Sequence, residues 1–430
     1  MSVERQVSWG EALTVYFTWR QVVIFGMGFA SGFPLLLTLS TLSYWLSTVG
    51  VDKTTIGIFI LVGAPYTFKF LWSPIIDQVK LPIIGRLGRR KSWLLVIQML
   101  LTAAIFVMGQ TDPVAVPAMT ALLAVTVAFF SASQDIVIDA YRIEILEDAE
   151  QGAGAASTQI GYKFGTLLTS AGAIALSDYV GWPTIFAVLA AIMALCAVFT
   201  IFIPEPKSST RIVTQHKNYR EWIVVAVVQP FADFMTRRGW LVILLFILFY
   251  KYGDAFGSAM ASPFYHELGF SGTEIAAVTK VFGVIASMLG AVLGGLCVFR
   301  YGLFKTLLIG GIVQAVTNLL FAVLAMKGAN LVWLGVAVTA DNLAGNIAAA
   351  ALVAYLSGLC NVAFTATQYA LFSSFMAFGR TGLSSASGWV ADHTDWVSFW
   401  ALPTVMAIPG LLLLLWIVRL YPHGLTTRQE

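Results

Sequence analysis

The segment Ser131-Ala-Ser-Gln-Asp135-Ile-Val-Ile-Asp139-Ala-Tyr-Arg142 sets two carboxylates four residues apart and a guanidinium three further on. In a helix these groups fall on one face. Two carboxylates this close in a low dielectric resist double ionisation, so one is a candidate to take up and release a proton. Asp135 is the expected proton-coupling group; Asp139 either shares that role or pairs structurally with Arg142. A second constellation, Tyr250-Lys251-Tyr252-Gly-Asp254, places a base and an acid three apart beside two aromatic rings. It reads either as an internally neutralised pair or as a cavity wall facing a polar ligand, with Lys251 holding an anionic one. Asp341-Asn342 and Asn346 form a third polar stripe, and Gln134 and Tyr162-Lys163 add further hydrogen-bonding groups. At Gly28, Ser31, Gly32 and Pro34 the small side chains admit a ligand or another helix.

Enzymatic chemistry finds no comparable support. His216, His266, His393 and His423 are scattered, and Cys196, Cys297 and Cys360 show no paired spacing, so neither a metal site nor a disulfide is expected. Gly26-x-Gly28 lies inside an apolar run, and no phosphate-binding loop of the Walker type is present. ATP is therefore not the direct energy source, and no cofactor, metal or nucleic-acid partner is expected.

The elements that must position these residues are membrane helices. The 430 residues are 58% hydrophobic and 11% charged, with a mean hydropathy of +0.82, where a soluble domain carries about 25% charged residues. Apolar runs long enough to cross a bilayer fall near 21–46, 55–76, 92–109, 115–141, 155–177, 183–203, 240–262, 273–299, 303–326, 331–357, 366–390 and 396–420. The stretch near Val22 to Leu46 is too long for a signal-peptide core and reads as a retained span. These runs predict an all-α membrane protein of two pseudo-symmetric six-helix bundles, 1–203 and 240–430, joined by a basic linker over 204–239. An amphipathic helix around Tyr219–Phe234 is expected to lie on the membrane surface. Lys and Arg crowd the loops on the side of the linker and termini, whereas Lys53 and Lys327 stand in the opposite loops. The positive-inside rule then makes both termini and the linker cytoplasmic.

Inside or at the edges of the runs remain Lys69, Arg142, Lys163, Lys251, Lys280 and Arg380, with Asp135, Asp139, Asp254 and Asp341. The bases fall on runs 2, 4, 5, 7, 8 and 11 and the acids on runs 4, 7 and 10, while runs 3, 6, 9 and 12 have uncharged cores. Nested three-helix repeats predict this period: the first helix of each triplet lines a central cavity, the second joins the halves and the third faces lipid. Lys69, Arg142, Lys280 and Arg380 read equally as structural pairs or snorkelling side chains. The small-residue pairs Gly28/Gly32, Gly161/Gly165 and Gly290/Gly294 are spaced for close packing, and those on runs 5 and 8 are expected where the halves rock. Asp77 with Arg86, Arg89, Arg90 and Lys91 forms an acid–base cluster that either latches one conformation or only sets topology.

Several motifs together resemble the AmpG muropeptide permeases of the major facilitator superfamily. They are Gly28-Phe-Ala-Ser-Gly-Phe-Pro34, Thr55-Ile-Gly-Ile-Phe-Ile-Leu-Val-Gly63, Lys69-Phe-Leu-Trp-Ser-Pro74 and Ser131-Ala-Ser-Gln-Asp-Ile-Val137. Gly152-Ala-Gly-Ala-Ala156, Gly161-Tyr-Lys163, Tyr250-Lys-Tyr-Gly-Asp-Ala-Phe256 and Ala366-Thr-Gln-Tyr-Ala370 continue the match to run 11 in the same order. The resemblance implies a monomeric inner-membrane symporter that imports N-acetylglucosaminyl-1,6-anhydro-N-acetylmuramic acid, with or without its stem peptide, together with protons. It further implies roles in peptidoglycan recycling and β-lactamase induction, with transport carried by Gln134-Asp135. Some members extend beyond the twelfth helix with further apolar segments, whereas this chain stops about ten residues after it, so no role of such a tail is expected.

Other readings remain open at this point. Another proton-coupled facilitator of a polar sugar, peptide, drug or acyl-CoA would share the same architecture. A membrane enzyme acting on lipid-linked sugars would need an interfacial loop motif that the sequence lacks, and a non-transporting sensor would bind ligand without moving it.

Overall fold

The computed structural model describes residues 9–51, 59–82, 84–206, 224–384 and 386–421. Among these residues nine helices are long and apolar enough to span a membrane, and three further helical tracts lie between them. In chain order the tracts are α1 (Trp19–Thr48), α2 (59–78), α3 (Arg89–Gly109), α4 (Pro117–Ile145), α5 (151–176) and α6 (Trp182–Phe202). After the linker come α7 (Trp240–Glu267), α8 (272–301), α9 (Leu303–Lys327), α10 (Leu331–Gly358), α11 (Thr365–Ser384) and α12 (Trp396–Leu420). Of the expected linker helix, a π-turn over Val224–Val228 and a helix over Gln229–Met235 are described; 219–223 lie outside the described residues.

Proline and polar residues break several tracts. In α2, Pro65 and Pro74 each start a new helical segment, with a 3-10 turn at Lys69–Leu71 between them, because proline removes a backbone donor and fixes φ. α7 runs as Trp240–Phe249, Tyr252–Ala259 and Ala261–Glu267, so the expected continuous helix is interrupted beside Lys251. π-turns at Leu168–Gly172 and Val278–Phe282 mark the same end of α5 and α8.

One apolar core gathers residues of α1–α6 together with Ala366 and Ala370 of α11. Two others belong to α7–α12, one of them taking in Ile143 of α4. The glycine pairs decide how helices meet inside each half. A Cβ on Gly28 or Gly32 would strike the backbone of Thr158 or Tyr162 of α5, and one on Gly161 or Gly165 would strike that of Phe25 or Phe29 of α1. Gly290 and Gly294 of α8 meet Leu343 and Ile347 of α10 in the same way. This corrects the expectation that Gly161/Gly165 and Gly290/Gly294 form the rocking contact: they lock helices within one half. The contact between α5 and α8 instead uses Gly152 against Gly295 and Val298.

Helices of opposite halves pack α5 with α8 and α2 with α11, the pairing that the triplet pattern predicts. They meet through the segments nearest the linker, here termed the linker end. Replacing Gly28 with Ala should destabilise the protein by about 1–3 kcal/mol through overpacking, read as a lower melting temperature in detergent. Gly335, where a Cβ meets nothing within 4 Å, is the control: Gly335→Ala should not lower stability, since Ala favours a helix by up to ~1 kcal/mol. Equal melting temperatures for the two variants would contradict the packing role of Gly28.

Candidate functional site

α4 carries the candidate carboxylates on the face turned to α1 and α2. Among largely buried neighbours, Asp135 and Asp139 keep partial exposure. Ser31 of α1 donates its hydroxyl to Asp135 Oδ1 at 2.6 Å. Lys69 of α2 lies 3.8 Å from Asp139 Oδ2, and Arg142 lies 3.8 Å from Asp139 Oδ1. Asp139 is thus shared by two cations, each with the loose geometry of an ion pair that can be remade. Lys69 reaches it from the 3-10 turn between the two proline-started segments of α2.

Arg142 does more than neutralise Asp139. It crosses to the other half, donating from Nη1 to Ser357 Oγ of α10 at 3.0 Å and stacking 5.3 Å above the Tyr369 ring of α11. A guanidinium suits this position because it stacks on an aromatic face while donating in its own plane.

The cluster around Asp77 is buried. Arg90 Nη2 donates to Asp77 Oδ1 at 2.7 Å and also to Glu144, all three side chains being fully buried. Arg89 donates to the Asp77 carbonyl at 2.6 Å. Asp77 Oδ2 reaches across the halves: it accepts the backbone N–H and the hydroxyl of Thr367, both at 3.1 Å. Thr367 lies in the first turn of α11, whose open N–H groups and dipole favour an anion. Of the two sequence readings, the latch is the one with a bond across the halves. That bond joins a carboxylate to a helix N-terminus. Glu205, just beyond α6, caps α3 in the same manner, accepting from the backbone N–H of Arg90 and Lys91 at 3.0 Å each.

In the second half, Lys251 Nζ donates to Asp254 Oδ2 at 3.2 Å, Gln314 Oε1 at 2.9 Å and the Gly345 carbonyl at 3.0 Å. An ammonium has three donors, and all are used. In this structure Lys251 ties α7, α9 and α10 together. Asp341 Oδ1 is buried with no hydrogen-bond partner among the described residues. Asn342 accepts from Ser287 of α8 at 2.9 Å.

Other candidates fall differently. Tyr250 is a core residue whose hydroxyl donates to the Leu307 carbonyl at 2.7 Å, so it offers no aromatic face to a ligand. Gln134 is fully buried and donates to the Ala30 carbonyl at 2.6 Å, which makes it a tie between α4 and α1. Gly28 and Gly32 turn their Cα faces to the backbone of α5. Tyr162, Lys163 and Tyr252 are half-buried, with Tyr252 edge-on to Phe249 and Phe256. The side chains of Lys280 and Arg380 lie outside those described. Sequence reasoning missed Glu144, Ser357 and Thr367. Glu144, two residues past Arg142, was open to discovery; the uncharged partners were not.

A sequence profile described as Major Facilitator Superfamily matches residues 22–340. The chain is 40% identical over 398 residues to the anhydromuropeptide permease of Escherichia coli (strain K12), covering 92% of this chain and 79% of that protein. It is 35% identical over 405 residues to the putative transporter AmpG 4 of Rickettsia felis, covering 94% and 97%. Its fold is similar to that of the proton:xylose symporter XylE bound to 6-bromo-6-deoxy-D-glucose, with a TM-score of 0.69 at 13% identity over 93% of this chain and 95% of that one.

Removing one member of a buried charge network leaves the others unpaired, at a cost of about 3–5 kcal/mol. Arg90→Ala should therefore lower thermal stability by that order, with Asp77 and Glu144 stranded. An unchanged melting curve would show that the cluster is hydrated and not dry.

Proposed function

The chain belongs to the major facilitator superfamily and, within it, to the AmpG-type permeases, and we propose on that footing that it is a proton-coupled symporter importing anhydromuropeptides by alternating access. The cargo is N-acetylglucosaminyl-1,6-anhydro-N-acetylmuramic acid with or without stem peptide, carried from periplasm to cytoplasm for peptidoglycan recycling. The moving bodies are 1–203 and 240–430, with 204–239 as their linker, in a monomer of the bacterial inner membrane. The basic residues at the linker end support a cytoplasmic placement of that end and of both termini. Contacts between halves through that end support an outward-facing conformation.

The observation that carries the reading is the position of Arg142. Its guanidinium pairs with Asp139 on one side and crosses to Ser357 and Tyr369 on the other. A proton on Asp139, or one passed to it from Asp135 a turn away, removes the charge that holds Lys69 and Arg142. The cross-half bonds of Arg142 then become free to rearrange, and proton uptake is joined to gate opening. A proton moving down ~100 mV supplies ~2.3 kcal/mol, enough to bias a two-state equilibrium about fiftyfold. For a disaccharide, the half-buried Tyr162, Lys163 and Tyr252, with Asp341 and Asn342, supply hydrogen-bonding groups and aromatic faces.

Asp135→Asn tests the coupling in membrane vesicles given labelled anhydromuropeptide. Uptake stimulated by an imposed proton gradient should fall to its rate without a gradient, while exchange of internal for external substrate continues. Stimulation at the wild-type rate would remove Asp135 from the proton path. Wild-type vesicles that move no anhydromuropeptide would refute the substrate and favour another facilitator.

A further inference from the structure

The turn of α11 that Asp77 caps is held from a second side. Thr367 faces Asp77, but the next residue, Gln368, faces the linker. Its Nε2 donates to Asp233 Oδ2 at 2.8 Å and to the Pro230 carbonyl at 2.9 Å. Its Oε1 accepts the Asn361 backbone N–H at 2.7 Å, and Asn361 Nδ2 donates to Asp233 Oδ1 at 3.0 Å. Both carboxylate oxygens of Asp233 are therefore spent on the α10–α11 turn and the start of α11. Phe234 packs edge-on against Phe372, ring centroids 4.9 Å apart, one turn further along α11. Gln368, Phe234 and Phe372 are almost wholly buried.

The same stretch of linker also touches the first half. The π-turn Val224–Val228 packs on Ser73–Gln78 of α2, the segment that ends in Asp77. The outward face, with Val224, Val227, Val228, Phe231 and Met235 exposed, has helical spacing and continues the exposed stripe Phe68, Leu71 and Ile75 of α2. Lipid is the partner of such a continuous apolar face in a membrane protein.

We propose that residues 224–235 are a clamp that positions the gate: Asp233 is a positioning residue that holds the first turn of α11 where Thr367 can meet Asp77. A backbone N–H caps a carboxylate only while its helix turn is formed, and α11 begins directly after the short 3-10 turn Val362–Phe364. Fraying of Thr365–Gln368 would withdraw both Thr367 donors at once. The linker thus does more than join two bodies. By ordering one helix end it sets how strongly the linker end stays closed. This inference rests on the alternating-access reading but not on the identity of the cargo.

The test uses the full chain in lipid, with Cys196, Cys297 and Cys360 replaced by Ser and spin labels on Ser47→Cys and His266→Cys. These two exposed sites lie on opposite halves at the end away from the linker, so local fraying near Asp233 cannot move them. Asp233→Ala should raise the short-distance population roughly tenfold or more, the ratio expected when a charge-assisted hydrogen bond is lost. Asp233→Asn keeps an acceptor for Gln368 but loses the charge and sets an amide N–H against Asn361 Nδ2, so it should fall between wild type and Asp233→Ala, and Gln368→Leu should shift the distribution in the same direction from the other partner. In an Asp77→Ala background, Asp233→Ala should add nothing, because its effect passes through Asp77. An unchanged distribution in Asp233→Ala and Gln368→Leu would overturn the proposal, as would an additive shift in the Asp77→Ala background. Failure of wild-type anhydromuropeptide uptake would refute the substrate and leave this result standing.

Discussion

Burying charge in a low-dielectric bundle is the constraint from which the rest of this structure follows. An isolated carboxylate or guanidinium in such a place costs several kcal/mol, and only paired, hydrogen-bonded geometry repays it. The buried network of Asp77, Arg90 and Glu144 meets part of that demand within one half. Asp77 retains a second oxygen, and the donors that satisfy it belong to the other half. The molecule therefore stabilises one relative placement of its halves with a bond that a movement must break. One oxygen of Asp77 is thus held by an arginine of its own half and the other by neutral donors across the gap.

Each half is fastened differently from the contact between them. Within a half, glycines bring backbones together along α1 and α5, and along α8 and α10, where any added side chain would collide. Such surfaces have one good arrangement and resist sliding. Between the halves, among the described residues, Asp77, Arg142 and Tyr16 make polar contacts. Rigid bodies joined by a small number of polar bonds are the physical basis of a rocking carrier.

The two halves also divide the electrostatic work. In the first, Asp139 is shared by Lys69 and Arg142 at ion-pair distances that leave room to rearrange. In the second, Lys251 has no free donor and acts as a fastener among three helices. Acid–base pairs three residues apart thus sit at 3.8 Å in one half and at 3.2 Å in the other.

Much of this was legible in the residues. Long apolar runs without surface charge demand membrane helices, and the confinement of charge to every first and second helix of a triplet predicted the contacts of α5 with α8 and of α2 with α11. It also placed Asp135, Asp139 and Arg142 on one face, because i, i+4 and i+7 share a face in any α-helix. What the spacing left open was partnership between distant segments. Nothing local says that Gly161 seats α1 and not α8, that Tyr250 turns into the core, or that Gln134 bonds the Ala30 carbonyl. Nor does local sequence mark Thr367 or Gln368, whose importance comes from a backbone N–H and an amide brought beside Asp77 and Asp233 by the fold. Helical periodicity determines which side of a helix a residue occupies; only the packed bundle decides what stands opposite it.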